Sequence, residues 1–302
     1  MKAAAFFAPG PPDVLQLIEL PRPEPGPGEI RVRVRAAGVQ PADLAVRQGW
    51  GPPGIEVSYP QILGNEFAGT VDLPGPGVTG LSPGDEVLGY RTLGCYAEYL
   101  VVPADQVVAR PPSLPARIAG GLSGAGQTAH TAVEELKVGP DDTFLVHAAA
   151  GAVGTVAVQL ARLDGATVIG TASPANHDYL RSLGVIPVAY GDGLVDRVRA
   201  VAPHGVTASL DAAGADGLRA AVELVADRHR IGTIVAFDLY RELGVRWLGS
   251  KRSAARLSDL VTLYRQGKLR IELRQAYPLE QAAAAHHDVG TGHGRGKVVL
   301  TC

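Results

Sequence analysis

Apolar and polar residues alternate strictly along Glu29-Ile30-Arg31-Val32-Arg33-Val34-Arg35, so that Ile30, Val32 and Val34 share one face and the arginines the other. A period of two predicts a half-buried strand. The same short, β-branched texture, cut repeatedly by Pro and Gly, runs through residues 1–112, with a first strand in residues 1–8 and a proline-rich turn at 21–28. It predicts an irregular all-β domain. From Pro115 onward the pattern changes to a helix over 116–136, a strand over 143–147, a helix over 155–163 and a second strand over 166–171. Val153, Val156, Ala157, Leu160 and Ala161 supply the helical spacing. Further strands are expected at 206–211 and 231–237, and the stripe Leu257, Leu260, Val261, Tyr264 predicts a late amphipathic helix. The alternation predicts an α/β fold whose second part is a parallel, doubly wound sheet.

Between the strand at 143–147 and its helix stands Val146-His147-Ala148-Ala149-Ala150-Gly151-Ala152-Val153-Gly154. Ala149, Gly151 and Gly154 occupy the three positions of the G-x-G-x-x-G dinucleotide fingerprint. Gly151 lets the backbone approach a pyrophosphate, Gly154 lets the helix pack on the strand, and the N–H groups of the first turn, Ala152 and Val153 among them, face the anion. Ala149 departs from the fingerprint, so the surrounding βαβ unit carries the assignment. An NAD site would show Asp or Glu about twenty residues beyond Gly151, to hold the ribose 2′-hydroxyl. Here the run is Thr171-Ala172-Ser173-Pro174-Ala175-Asn176-His177, without an acid.

The 302 residues, 46% hydrophobic and 19% charged, have room for two domains, and a formal net charge of −2 argues against nucleic acid as a partner. Lys251, Arg252, Arg256, Arg265, Lys268 and Arg270 along the late helix read as a solvated face. Two cysteines, Cys95 and Cys302, make neither a disulfide framework nor a Cys-rich zinc site, and a reducing cytoplasm fits them. The apolar N-terminus is stopped by Pro9-Gly10-Pro11-Pro12, which makes it a strand rather than a leader. Residues 144–161 approach membrane-spanning length, but their glycines, His147 and Gln159 fall where the strand–helix turn lies, so no membrane partner is expected. His286, His287 and His293 cluster without Cys or carboxylate spacing and read as surface polar residues. No nucleophile elbow or Ser-His-Asp pattern appears.

Several segments, in this order and spacing, carry a resemblance. They include Pro25-Gly26-Pro27-Gly28-Glu29, Ala36-Ala37-Gly38-Val39-Gln40-Pro41-Ala42-Asp43, Gly64-Asn65-Glu66-Phe67-Ala68-Gly69, Tyr96-Ala97-Glu98-Tyr99, Gln127-Thr128-Ala129-His130, the cofactor turn with Gln159-Leu160-Ala161-Arg162, and Gly294-Arg295-Gly296-Lys297-Val298-Val299-Leu300. Together they make the chain similar to the medium-chain dehydrogenase/reductases, in their zinc-free quinone oxidoreductase branch. The resemblance implies a GroES-like substrate domain from residues 1–114 completed by 246–302, a Rossmann domain over 115–245, an active site in the cleft and homodimers joined through the Rossmann domains. Zinc-dependent relatives hold zinc with Cys where Gln40 stands and His where Asn65 stands; amides are poor zinc ligands, so no metal is expected. The family usually has Asn at Gln40, often Tyr at Ala45, and Leu at Gln127, whose amide either nears the nicotinamide or covers a helix end. Ser173 matches the family's 2′-phosphate serine, which favours NADPH, and His177 stands where Lys is common. Thr128, Thr171, Tyr190 (allowing a one-residue gap) and Arg295 complete the expected cofactor set.

Reduction of a conjugated carbonyl needs no Lewis acid: hydride adds to the β-carbon and a few donors stabilise the enolate. Gln40 is the first candidate to position substrate or nicotinamide. Trp50 and Tyr59 flank the Gly- and Pro-rich loop 51–58 and serve either as a substrate wall or as packing. The expected function is an NADPH-dependent reductase of an α,β-unsaturated carbonyl compound or quinone. The alternatives are a reductase or dehydrogenase of another carbonyl compound in secondary metabolism, and an NADPH-binding sensor or scaffold with little turnover.

Overall fold

The structure, a computed structural model, describes residues 1–52 and 54–302. The chain forms two compact units: Met1–Gly124 with Arg252–Gly267 and Glu272–Cys302, and Ala125–Lys251 with Lys268–Ile271.

In the first unit the alternating segment forms Glu29–Val39, which pairs antiparallel with Glu66–Pro74, Tyr99–Pro103 and Lys297–Thr301. Ile30, Val32 and Val34 are buried, and on the opposite face Arg31 is held by Asp72 and Glu24. The C-terminal strand Lys297–Thr301 enters beside Val39 and carries the parallel strand Leu273–Pro278 on its other side. A second small sheet joins Gln16–Glu19, Lys2–Phe6 and Gln61–Ile62.

The second unit is a fully parallel sheet of Thr143–Val146, Thr167–Ala172, Ile186–Ala189, Ala208–Asp211, Ile231–Thr233 and Arg246–Trp247. Their order in space is third, second, first, fourth, fifth, sixth. The progression reverses between the first and fourth strands, which is where a doubly wound sheet opens a crevice for ligands. Gln159 exchanges two hydrogen bonds with the backbone of Arg270, at 2.8 and 2.9 Å, and so ties Lys268–Ile271 to this unit.

Several expected elements differ in detail. Residues 116–136 form two helices, Ala116–Ala119 and Leu122–Glu135, divided at Gly120-Gly121. A Cβ on Gly120 would stand 2.7 Å from the Ala36 carbonyl oxygen, and one on Gly121 would stand 2.6 Å from Lys297 Cγ, so residues 115–124 pack in the first unit rather than the second. The strand expected over 231–237 stops at Thr233, because its hydroxyl accepts from the N–H groups of Val235 and Ala236 and turns the chain. Among the described residues no helix is long and apolar enough to cross a membrane.

Candidate functional site

In the second unit the helix after the glycine turn begins at Ala152, three residues before the expected span of 155–163, with Gly151 as its N-cap and no side chain capping it. Ala152, Val153 and Gly154 therefore form its first turn, where backbone N–H groups and the helix dipole favour an anion. The left-handed residue of the turn is Ala148, at φ 54°, and not Ala149. Alanine is thus tolerated at the first fingerprint position. A Cβ on Gly154 would lie 2.3 Å from the Ala148 oxygen and 2.7 Å from Ala149 Cα, whereas one on Gly151 would meet only the Ala148 oxygen, at 3.2 Å. Gly154 sets the close approach of helix to strand; Gly151 keeps a cradle that a side chain would fill. Thr171 is buried and its hydroxyl reaches Ala148 N–H at 3.3 Å and His147 Nδ1 at 3.4 Å, so it braces the turn from behind.

Ser173, Asn176 and His177 gather at the end of Thr167–Ala172. Asn176 Nδ2 donates to Ser173 Oγ at 3.2 Å, and His177 Nε2 lies 3.4 Å from the Ala172 carbonyl. Tyr190 follows the third strand, 56% exposed. Arg295, in the first unit, is paired with Glu272 at 3.1 Å. Gln127 is fully buried within Leu122–Glu135, six residues into the helix; Thr128 beside it is half-buried.

In the first unit Gln40 and Asn65 are each held by a buried carboxylate. Gln40 Nε2 donates to Glu66 Oε1 at 3.0 Å, and Glu66 also takes Lys297 Nζ at 2.6 Å and Gly124 N–H at 2.6 Å. Asn65 Nδ2 donates to Asp43 Oδ1 at 2.7 Å. Asp43 accepts as well from Gly64 N–H, Gln40 N–H and the Tyr96 hydroxyl, at 3.2, 2.9 and 3.0 Å. Burial pushes the Asp43 carboxyl up to about 6, against the attraction of Lys297 and its hydrogen bonds. Trp50 and Tyr59 are 38% and 45% exposed, and Tyr59 sets its ring edge against Phe6 at 5.5 Å. Pro53, within the loop 51–58, lies outside the described residues.

Two expectations are corrected here. His286 is fully buried rather than on the surface: Tyr96 Oη lies 3.3 Å from its Nε2 and Arg47 NH1 3.4 Å from its Nδ1. Burial, then Arg47, push its imidazole down to about 3. Arg252 is no solvated face residue; it donates to the carbonyls of Asn65 and Arg91 and to Thr92, and lies over the Tyr90 ring. Asp43, Glu66, Tyr96 and Lys297 stand inside the sequence motifs, but only the fold shows their partners. Their signal was a charged residue at the head of an apolar strand, as in Glu66-Phe67-Ala68 and Lys297-Val298-Val299.

Two family models match the chain, the alcohol dehydrogenase GroES-like domain over residues 26–112 and zinc-binding dehydrogenase over 183–300. Among curated proteins, the pikromycin polyketide synthase component PikAII of Streptomyces venezuelae is 33% identical over 269 residues, 80% of this chain and 7% of that protein. The curated relatives are much longer, and the chain spans between 5% and 15% of them. Among solved structures, a NAD-dependent alcohol dehydrogenase is 32% identical with a TM-score of 0.90 and full coverage of both chains. Escherichia coli quinone oxidoreductase complexed with NADPH is 25% identical, TM-score 0.88, again with full coverage of both. The quinone oxidoreductase from Coxiella burnetii is 31% identical with a TM-score of 0.89, over 100% of this chain and 99% of that one. With a β-rich unit built around Glu29–Val39, which is not all-β as expected because the helices Pro41–Arg47, Ala254–Arg265 and Ala282–Gly290 lie in it, a doubly wound parallel sheet and these relatives, the chain belongs to the medium-chain dehydrogenase/reductase superfamily.

Proposed function

We propose that the protein is an NADPH-dependent reductase that transfers hydride to an α,β-unsaturated carbonyl compound or quinone without zinc. The observation that carries this reading is the pair of amides at the two zinc-ligand positions of metal-dependent relatives. Gln40 and Asn65 are poor zinc ligands, each already donates to a carboxylate, and among the described residues no group of three His, Cys, Asp or Glu could hold a metal. The residues do not fit zinc.

They do fit a dinucleotide. The open cradle at Gly151 and the uncapped helix start at Ala152 and Val153 would hold a pyrophosphate, and Ser173 with His177 would meet a 2′-phosphate at a strand end that carries no acid. When bound, NADPH supplies the hydride. Gln40 keeps one amide N–H beyond its bond to Glu66, which suits stabilisation of an enolate oxygen. The relatives favour this reading: two are quinone oxidoreductases, one complexed with NADPH, and the similarity to polyketide synthases favours conjugated carbonyl substrates of secondary metabolism. A homodimer through the edge strand Arg246–Trp247 is part of the proposal. Phe237, 50% exposed, stacks on Trp247 at 3.9 Å beside that edge.

The test is NADPH oxidation against a panel of quinones and enones, with and without a chelator. Turnover that survives chelation is expected. Binding of NADPH without turnover on any of them would favour a sensor or scaffold.

A further inference from the structure

We propose that Gln40 and Asn65 form a donor–acceptor pair that selects a carbonyl ligand bearing a hydrogen-bond donor on the neighbouring atom, with Asp43 as the positioning residue that fixes the acceptor. The proposal deepens the reductase reading by giving its substrate a second polar group.

The direction of every hydrogen bond leading to Asn65 is dictated by chemistry. Arg47 can only donate, so His286 Nδ1 accepts, and the neutral imidazole carries its proton on Nε2. That N–H donates to the Tyr96 oxygen, which leaves the Tyr96 O–H to donate to Asp43 Oδ2. Asp43 as a carboxylate only accepts, so Asn65 must turn its NH2 toward Asp43 Oδ1 and its own Oδ1 away. The backbone is pinned too, since the Asn65 carbonyl accepts from Arg91 N–H at 3.3 Å and Arg252 NH1 at 3.2 Å. Asn65 is half-buried, and its Oδ1 accepts no hydrogen bond among the described residues.

The same logic fixes Gln40. Glu66 accepts at Oε1 from both Lys297 and Gln40, so the Gln40 amide presents nitrogen there and retains a second N–H. One Asp43 carboxylate takes both the Gln40 backbone N–H and the Asn65 amide, and the Gln40 amide reaches Glu66, the residue after Asn65, so the two residues are neighbours in space. A ligand carbonyl is matched by Gln40, and a hydroxyl or N–H on the adjacent atom is matched by Asn65 Oδ1. A ligand without that donor leaves Asn65 Oδ1 desolvated and unpaired, which is costly. An α-hydroxy ketone has this chemistry, and so does a primary carboxamide such as that of nicotinamide.

The experiment measures binding of 2-hydroxycyclohexanone and 2-methoxycyclohexanone to the full chain by ligand-observed NMR, with and without NADP⁺. The hydroxyl probe should bind about five- to tenfold more tightly than its ether, which cannot donate. Asn65→Leu, which removes the acceptor together with one of the four hydrogen bonds to Asp43, should bring the ratio to about one. Asp43→Asn, whose amide can face Asn65 either way, should lower it. Displacement of the hydroxyl probe by NADP⁺ would assign the pair to the cofactor's carboxamide, and its retention would assign it to the substrate. Equal binding of both probes, binding of neither, or a ratio unchanged in Asn65→Leu would overturn the proposal. Turnover is read separately: a preserved binding ratio without NADPH oxidation would remove the reductase reading and leave this pair in place.

Discussion

Glu66 and Lys297 meet as a buried ion pair, Oε1 to Nζ 2.6 Å apart, with side chains 0% and 5% exposed. Three glycines clear the space around it. A Cβ on Gly38 would fall 2.0 Å from Glu66 Oε1, one on Gly121 2.6 Å from Lys297 Cγ, and one on Gly124 2.1 Å from Gln40 Nε2. The pair joins the strand at Glu66 to the C-terminal strand at Lys297 and supplies the carboxylate that orients Gln40.

Removing one partner of this pair leaves the other charge buried and uncompensated. Lys297→Met should cost about 3–5 kcal/mol of stability, read from urea unfolding. The double variant Glu66→Gln with Lys297→Met should recover part of that loss, because neither charge remains. A double variant no more stable than the single would show that packing, not charge, is the cause.

The first strand–helix–strand of the second unit was legible in the sequence because its signals are local, a strand, a glycine turn and a 3.6-residue apolar spacing within about twenty residues, whereas the strands Ile186–Ala189 and Arg246–Trp247 were not expected. Even the helix start at Ala152 is explained by Gly151 as N-cap. The first unit was legible as strands and not as a site. Asp43, Asn65, Tyr96, His286 and Arg47 converge from four distant segments, and only three-dimensional closure shows that His286 at position 286 answers Tyr96. A histidine in an Ala-rich helix carries no local sign of burial. Arg252 misled for a related reason, since an arginine at a helix start reads as solvated until its carbonyl partners are known.

Gly151 and Gly154 should separate binding from folding. Gly154→Ala places a Cβ against backbone atoms at 2.3 and 2.7 Å, which cannot relax cheaply, and should lower the thermal midpoint. Gly151→Val meets only the Ala148 oxygen, at 3.2 Å, and its φ of −71° suits any residue, so it should fold while losing NADPH binding. Differential scanning fluorimetry and NADPH fluorescence titration of the two variants check this. Wild-type NADPH affinity in Gly151→Val would move the site elsewhere.

Cofactor choice rests on Ser173 and His177 at a strand end without an acid. A 2′-phosphate gains from hydroxyl and cationic donors there, whereas a carboxylate would repel it. NADPH should be preferred over NADH by one to two orders of magnitude, roughly 1.4–2.8 kcal/mol. Ser173→Asp should erase or reverse the preference. Equal kcat/KM for the two cofactors in the unmodified protein would remove this loop from the site.

Stability should fall in acid because of two buried histidines. Burial holds His147 down at about 4 and His286 at about 3, both from an ordinary value of 6.5. Folded pKa values below the unfolded one mean that the unfolded chain binds the extra protons, so this stabilisation is complete above 6.5 and is lost as pH falls toward 4 and 3. Asp43 acts in the opposite sense. Its pKa is raised from 3.8 to about 6, so its contribution is fullest below 3.8 and is lost as pH rises through 6; the raised Asp164 and Asp211 share that direction. Comparing variants cancels these carboxylates. Between pH 4.5 and 6 each histidine contributes about one proton, so the slope of unfolding free energy against pH in His286→Phe should be smaller than in the wild type by about 1.4 kcal/mol per pH unit. His147→Phe should show a similar loss of slope. Parallel slopes for wild type and both variants, measured by urea unfolding at each pH, would mean that neither imidazole is held neutral in the folded state.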